Sequence, residues 1–281
     1  MSDSLPGQFP QHTQTVTDIL SPAHAAALAA TLDYDEAPRS GEPLPPIWHW
    51  AYFWAATPQS GLGADGHAKK GGFLPDLGLP RRMWAGGRLL FDAPLIVGST
   101  VERVSRVTSV ERKEGRSGHL GFVTVTHEFK TSGKTAIREE HDIVYREPAR
   151  PGQPQPAPTR APHGAEWRRE IHPTEVLLFR YSALTFNGHR IHYDRTYVRD
   201  VEGYPDLVVH GPLIATLLLD MVARFLPQAV VREYAYKAVR PTFLGHSFSV
   251  CARPLADGKS VELWAQDHEG WLTMSARAVL A

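Results

Sequence analysis

The chain has 281 residues and equal numbers of basic and acidic side chains, 30 of each, so its formal net charge is zero at pH 7. This length allows one large domain or two small ones, each with its own core. A balanced charge without a basic stripe argues against nucleic acid as a partner, and no apolar run approaches the ~18 residues of a membrane span. Because the N-terminus shows no apolar secretory leader either, we expect a cytoplasmic protein that binds neither nucleic acid nor membranes.

The first predicted elements are two helices. Ser21 is a suitable N-cap and Pro22 fits the first helical position of an Ala/Leu run that ends at Leu32. The strongly apolar segment over residues 47–55 is ambiguous between helix and strand by composition. Its position relative to the second half of the chain favours a helix.

Two cation-rich segments follow, over residues 63–72 and 80–88, and both are predicted to be ordered loops. They contain His67, Arg81 and Arg82, whose side chains suit the binding of a phosphate or carboxylate. Neither segment has the spacing of a phosphate-binding loop.

Alternating apolar and polar residues then predict three antiparallel strands over residues 100–111, 121–130 and 135–145, with turns near Gly115 and at residues 131–134. Six prolines lie between positions 148 and 162, and such a stretch cannot pair in a sheet or continue a helix. We therefore predict an N-terminal domain over residues 1–147, a proline-rich linker over 148–165 and a C-terminal domain over 166–281.

The second half repeats this order of elements. A helix is predicted from about residue 175 to 184, a strongly apolar helix over 212–226, and strands over 246–253, 260–267 and 271–280. A Pro-x-x-x-Gly spacing precedes the strands in each half, at residues 94–98 and 241–245. A long apolar helix needs burial, which a curved antiparallel sheet provides, so we predict two α+β units that can share one continuous sheet. The lone cysteine, Cys251, falls in a predicted strand and is expected to be a packed thiol rather than a nucleophile.

The chemistry is concentrated before the apolar helix of the second half. His192 has an imidazole that can take a proton near pH 7, and Asn187 can hold a water through its amide. Gly211, next to His210 at the predicted helix start, can present its N–H to a developing oxyanion. Histidines are absent from the corresponding connection of the first half. One half is therefore expected to carry the reaction and the other to shape the pocket. A metal site made by His189, His192, His210 and Asp194 is an alternative that the spacing supports only weakly.

These residues resemble a known family. MaoC-like hydratases of the hot-dog fold carry Asp-x-Asn-Pro-Ile-His, followed later by His-Gly at the start of the central helix. Here the same register contains Asn187-Gly188-His189-Arg190-Ile191-His192 and then His210-Gly211. The run from Arg180 to Asp194, together with three N-terminal segments (residues 45–50, 71–75 and 80–88), is similar to the double-hot-dog branch. That branch contains mesaconyl-C4-CoA hydratases, itaconyl-CoA hydratases and mitochondrial-type 3-hydroxyacyl thioester dehydratases.

The resemblance covers roughly residues 15–281 and implies an α+β double hot-dog, with two antiparallel sheets, or one continuous sheet, each wrapped around a central helix. It implies reversible hydration of an α,β-unsaturated acyl thioester. His192 would be the base, Asn187 would orient the water in place of the family's carboxylate, and the Gly211 N–H would bind the thioester oxygen. Because position 187 does not titrate, one imidazole would handle both proton transfers. No cofactor is expected beyond the coenzyme A of the substrate, and the chain is expected to form a homodimer.

The favoured substrate is a C5 dicarboxylyl thioester, mesaconyl-C4-CoA or itaconyl-CoA, hydrated to citramalyl-CoA. Its free carboxylate calls for a cation, and the residues expected to bind the substrate are Arg190, Arg81, Arg82, His67 and Tyr193. A 3-hydroxyacyl-ACP or -CoA dehydratase of fatty-acid metabolism is the alternative within the family. An acyl-CoA thioesterase is a second enzymatic candidate, which the neutral Asn187 argues against. A non-catalytic acyl-binding module and a metal-dependent lyase are candidates of different classes.

Overall fold

The computed structural model describes residues 2–4, 13–115, 118–147 and 157–281. The first half contains helix α1 (Pro22–Thr31) and strands β1 (Ser2–Ser4), β2 (Thr13–Ile19), β3 (Arg81–Phe91), β4 (Thr100–Gly115), β5 (Gly118–Thr131) and β6 (Lys134–Arg146). The second half contains helices α2 (Glu175–Thr185), α3 (Arg195–Tyr197) and α4 (Gly211–Phe225), and strands β7 (Trp167–Ile171), β8 (Val231–Ala238), β9 (Phe248–Pro254), β10 (Ser260–Gln266) and β11 (Leu272–Leu280).

All the described strands belong to one antiparallel sheet. Its order is β1-β4-β5-β6-β3-β8-β11-β10-β9-β7, and β2 also pairs with β4. The two halves meet where β3 pairs with β8, from Gly86 opposite Lys237 to Leu90 opposite Glu233. The predicted double hot-dog is therefore confirmed in its continuous-sheet form. Half of the predicted linker, residues 148–156, lies outside the described residues, and the domain boundaries stay a prediction.

Helix α4 is the central helix of the second half. Ten consecutive residues, Leu213 to Val222, are buried, and the helix packs against β8, β9, β10 and β11. A helix that is apolar on most of its surface requires burial of this kind, so the prediction for residues 212–226 is confirmed. No helix among the described residues is long and apolar enough to cross a membrane.

The prediction of a helix over residues 47–55 is wrong. Only a single 3-10 turn forms there, at Trp48–Ala51. Ile47 and Phe53 on either side of it have φ angles of 63° and 58°, which an α-helix cannot contain. The large side chains of this segment still enter the core, but the first half has no long central helix among its described residues.

A buried polar cluster occupies part of this helix-free core. Glu139 is 2% exposed and accepts a hydrogen bond from the Trp50 indole N–H at 2.6 Å. His49 lies 3.2 Å from the other carboxylate oxygen, and His141 also contacts Glu139. Burial alone would raise the pKa of this carboxyl, but the two histidines hold it well below its ordinary value of 4.5. The cluster is therefore built around a buried carboxylate anion.

The segment over residues 80–88 was predicted as a loop, and this is also wrong, because it forms the greater part of β3. Its glycines are required by close packing: a Cβ at Gly86 would lie 2.6 Å from the Tyr236 carbonyl oxygen on β8. The other cation-rich segment, residues 63–72, is irregular as predicted. Cys251 is buried on β9, and burial raises the pKa of its thiol, which confirms its packing role.

Candidate active site

His192 is the last residue of a 3-10 turn, Arg190–His192, and a hydrogen bond to a backbone carbonyl fixes its ring. The Nδ1–H donates to the Val208 carbonyl at 2.7 Å, so Nε2 carries the free lone pair. Burial lowers the pKa of His192 to about 4, against the opposing effect of the Val208 hydrogen bond. The imidazole is therefore neutral near pH 7 and oriented as a proton acceptor.

His210 is the stacking partner of His192. The two ring centroids are 3.6 Å apart and the planes differ by 18°. The His210 Nε2 lies 2.8 Å from the Ser182 Oγ on α2, and burial holds the pKa of His210 well below its ordinary range. A neutral ring in this position fixes the orientation of the His192 ring without competing with it for a proton.

The predicted alternative metal set is not assembled as a chelate. Two rings stacked face to face cannot direct their nitrogens to one ion, and the His192 Nδ1 is already bonded to Val208. The Asp194 carboxylate is also engaged in other bonds, because it accepts hydrogen bonds from the Tyr197 N–H and from Arg190.

Gly211 is the first residue of α4. The first backbone bond of this helix runs from the Ile214 N–H to the His210 carbonyl at 3.1 Å, and Pro212 has no N–H. The Gly211 N–H precedes that bond and has no partner within the helix, and it lies at the positive end of the helix dipole. A Cβ at position 211 would lie 2.8 Å from the Trp84 ring. Glycine is therefore needed because Trp84 packs against the backbone at the predicted oxyanion position.

Trp84 itself was missed by the sequence reasoning, because it lies inside the segment predicted as a loop. Its ring stacks on Tyr236 with centroids 4.6 Å apart and lies 6.0 Å from that of Trp50. These three aromatic rings form a wall beside the start of α4. In the sequence, the only sign of this role for Trp84 is that an aromatic residue stands within a run rich in arginine and glycine.

Asn187 follows α2 and forms a turn. Its Oδ1 accepts from the His189 N–H at 3.0 Å, and its own N–H donates to the Ser182 carbonyl at 2.8 Å. The side-chain oxygen is partly committed to this turn, so the amide N–H groups are the main means left for holding a water.

A loop of the first half closes over this region. The Arg190 N–H donates to the Asp65 carbonyl at 2.9 Å, and the Arg190 Nη1 donates to the Ala64 carbonyl at 3.0 Å. Gly66, with φ of 88°, approaches Gly188 so closely that any Cβ would collide with the Gly188 carbonyl oxygen. The loop is thereby fixed to the segment that carries Asn187 and His192.

This docking brings His67 to the site. Its ring centroid is 4.0 Å from that of His189, and the His189 centroid is 5.6 Å from that of His192. Burial lowers the pKa of His189 to about 2, with smaller contributions from His67 and His192. Four imidazoles, of His67, His189, His192 and His210, therefore lie in sequence from the docked loop to the start of α4.

Asp65, His67 and His189 each place one metal-ligand atom within 4.8 Å of the others, so these are the described side chains with the potential to hold a metal. In the structure, however, the His67 Nδ1 is 3.1 Å from the Asp65 Oδ2 and the His67 N–H donates to Oδ1 at 3.0 Å. Burial would raise the pKa of Asp65, but these hydrogen bonds and the neighbouring imidazole charge lower it well below its ordinary value. The arrangement present is a carboxylate–imidazole pair.

The predicted substrate-binding arginines differ in their contacts. Arg190 donates from Nε and Nη2 to Asp194 at 3.0 and 2.7 Å, and Arg81 bonds the carboxylate and the carbonyl of Glu202. Among the described residues, Arg82 has no carboxylate partner. It lies two positions before Trp84 on β3 and so on the same face, and its charge contributes to lowering the pKa of His189.

Tyr193 is the remaining predicted substrate-binding residue. It is 53% exposed, and its hydroxyl donates to the Gly188 carbonyl at 3.1 Å. Its side chain therefore supports the turn between Asn187 and His192 from the solvent side.

Comparisons with known proteins identify the family of this chain. The model of the hydroxyacyl-thioester dehydratase type 2 family matches residues 47–244. The chain is 44% identical to mesaconyl-C(4)-CoA hydratase of Chloroflexus aurantiacus over 95% of both chains. It is 27% identical to the mitochondrial hydroxyacyl-thioester dehydratase type 2 of Schizosaccharomyces pombe, over 74% of this chain and 77% of that protein. The fold matches that of a MaoC-like dehydratase from Phytophthora capsici with a TM-score of 0.71 and 14% identity, covering 97% of this chain and 96% of that one. The chain therefore belongs to the hydroxyacyl-thioester dehydratase type 2 family and is a hydro-lyase of the MaoC-like hot-dog type.

Proposed function

We propose that the protein catalyses the reversible hydration of a C5 dicarboxylyl-CoA thioester, of the mesaconyl-C4-CoA or itaconyl-CoA type, to citramalyl-CoA. The identity with a mesaconyl-C(4)-CoA hydratase over nearly the whole chain supports this substrate class. The structural observation that carries the proposal concerns Arg82. This cation has no carboxylate partner among the described residues, and it lies on the same face of β3 as Trp84, which packs against Gly211.

In this proposal the thioester oxygen accepts a hydrogen bond from the Gly211 N–H, and the dipole of α4 stabilises the charge that forms there. The Asn187 amide holds a water near the β-carbon, and the His192 Nε2 takes a proton from that water as the C–O bond forms. In mesaconyl-C4-CoA, whose double bond is conjugated with the thioester, the electrons of that bond move toward the carbonyl, and the resulting enolate is protonated at the α-carbon.

The substrate class is tested by following the ultraviolet loss of the conjugated thioester, with identification of products by mass spectrometry. Mesaconyl-C4-CoA, mesaconyl-C1-CoA, itaconyl-CoA and crotonyl-CoA are compared at equal enzyme concentration. We expect fast hydration of a dicarboxylyl thioester and slow hydration of crotonyl-CoA. A preference for crotonyl-CoA or longer simple chains would instead support a dehydratase of fatty-acid metabolism, and release of free thiol would support a thioesterase.

The role of Arg82 is tested with R82Q. A hydrogen bond to a charged group contributes about 1.5–3 kcal/mol, so R82Q should raise KM for the dicarboxylyl thioester by roughly 10- to 100-fold and leave that for crotonyl-CoA unchanged. R88Q is the matched control, because Arg88 lies on the same strand but pairs with Asp142 and Glu140. An equal effect of R82Q on both thioesters would remove Arg82 as the carboxylate-binding group.

The carrier and the assembly complete the proposal. We infer that coenzyme A rather than acyl-carrier protein carries the acyl group, that no further cofactor takes part, and that the protein is a cytoplasmic homodimer. Kinetics with matched CoA and acyl-carrier-protein thioesters test the carrier, and light scattering coupled to size-exclusion chromatography tests the assembly. Equal or faster turnover of the protein-bound thioester, or a mass of one chain, would contradict these inferences.

A further inference from the structure

Hydration needs two proton transfers at different places. The attacking water loses a proton, and the α-carbon gains one. His192 is oriented for the first transfer, since its Nε2 is unprotonated when Nδ1–H donates to Val208. Asn187 cannot supply the second, because an amide does not titrate in the useful range. The neighbouring rings do not serve either: the pKa of His189 is lowered to about 2, and the His210 Nε2 lies against Ser182.

His67 is the remaining imidazole in this row of rings, and it comes from the other half of the molecule. Its side chain is 28% exposed, so it can exchange protons with solvent, whereas His192 is only 7% exposed. The contact between Gly66 and Gly188 and the two hydrogen bonds from Arg190 fix its loop at the site. His67 is thus positioned as firmly as the residues of the second half.

The charged groups around His67 suit a proton donor. The Asp65 carboxylate bonds its Nδ1 at 3.1 Å, which leaves Nε2 as the second ring nitrogen. A carboxylate bonded to one nitrogen stabilises an imidazolium that donates from the other. The other groups facing this pair are His189 and His192 from the second half and Tyr197 from α3. Arg82 from β3 acts on His189, the next ring in the row.

We propose that His67, held by Asp65, is the second catalytic group and delivers the proton to the α-carbon. This inference rests on the proposed hydration. His192 takes a proton from water as oxygen bonds to the β-carbon, the double-bond electrons form the enolate, and these electrons then bond the proton from the His67 Nε2. His192 afterwards releases one proton to solvent and His67 takes one up, so the net reaction is the addition of one water.

Three variants test the role of His67, with the thioester that the wild type hydrates fastest, so that a wrong substrate assignment does not affect the result. H67Q should lower kcat by about 10²-fold or more, the usual contribution of general acid–base catalysis, while KM changes less than about threefold. H246Q is the matched control, because His246 stacks on His268 with centroids 3.9 Å apart, outside the active site, and should retain full activity.

The pH dependence separates proton donation from a structural role. The wild-type rate should fall at high pH, as the donor loses its proton, and this fall should be absent from the residual activity of H67Q. In D65N, the third variant, kcat should also fall, because the carboxylate that holds the His67 ring through Nδ1 is gone. Circular dichroism and thermal unfolding report whether each variant folds, and D65N decides the question if H67Q does not.

Three results would overturn the inference. An H67Q rate within threefold of wild type would show that His192 handles both transfers. A raised KM with unchanged kcat would make His67 a binding group. Stoichiometric metal in the purified protein, lost together with activity on treatment with a chelator, would make Asp65, His67 and His189 ligands rather than a proton-donating pair.

Discussion

The two halves of the molecule share one sheet but differ in what the sheet surrounds. The second half has the 15-residue helix α4, with His192 and His210 at its beginning. The first half has a single 3-10 turn in the corresponding place, with a buried carboxylate, Glu139, held by Trp50 and two histidines. The half with the helix thus provides the helix dipole and the proposed base, His192, whereas the half without it provides an aromatic wall and a docked loop.

The first half contributes to the site although it lacks a central helix. Trp50 donates to Glu139 on one side and lies 6.0 Å from Trp84 on the other, and Trp84 packs on Gly211. Contacts therefore run without interruption from the buried carboxylate to the proposed oxyanion position. We infer that the polar core of the first half keeps the wall of the catalytic half in place.

The largest effect is expected when the chemistry is removed from the second half. H192A should lower kcat by about 10²–10⁴-fold, the contribution of a general base, while circular dichroism shows an intact fold. In the wild type the rate should also fall as pH drops through about 4, because the base, whose pKa is lowered to about 4, then becomes protonated. A near-wild-type rate for H192A would remove His192 from the mechanism.

The second effect concerns the stability of the first half. E139A leaves His49, His141 and Trp50 without their buried partner, which typically costs about 3–5 kcal/mol in the free energy of unfolding. Because the folded pKa of Glu139 lies below 4.5, its contribution is present above about pH 4.5 and is lost as pH falls through the folded value. Urea unfolding at several pH values measures both effects.

E140A is the matched control for E139A, since Glu140 lies on the same strand but forms a surface ion pair with Arg88. Exposed pairs contribute about 0–1 kcal/mol. Equal losses for E139A and E140A would show that the buried cluster does not hold the first half together.

The smallest effect is expected at Asn187. In N187D one carboxylate oxygen can still accept from the His189 N–H, and the other can accept from the water in place of the amide N–H groups. The turn should therefore survive, and activity should stay within about tenfold of wild type. N187A loses both the turn bond and the amide and should lose more, since each role depends on a hydrogen bond of about 1 kcal/mol or above. Steady-state kcat of the two variants gives the comparison, and equal rates for both would exclude a water-holding role.

The second half could be predicted better than the first. The signature from Asn187 to Gly211 is continuous enough to bring His192 and the start of α4 into one candidate site, and alternation located six strands near their observed positions. Residues 47–55 could not be judged in this way, because positive φ angles at Ile47 and Phe53 rather than composition prevent the helix. Strand β3 was missed because its glycines are explained by the close approach of the β8 backbone, which leaves no room for a Cβ. That partner lies more than 140 residues away along the chain.

The candidate site shows the same limit of prediction from local sequence. His67 could be proposed as a substrate-binding residue from its cation-rich segment, but its contact with His189 depends on the approach of Gly66 to Gly188, which nothing local to either glycine predicts. The distinction of Arg82 from Arg81 and Arg190 likewise follows only from the ion pairs that engage those two side chains.

The pairing of β3 with β8 has a consequence for dissecting the protein. Cutting the chain between its halves would give each fragment a bare strand edge, and such edges pair with whatever strand is available. Each fragment alone should therefore aggregate or form copies joined edge to edge, whereas the two fragments expressed together should re-form the enzyme as a split protein. Gene duplication and fusion would account for the pairing of β3 with β8. It would then descend from a contact between two small subunits that covalent linkage made permanent.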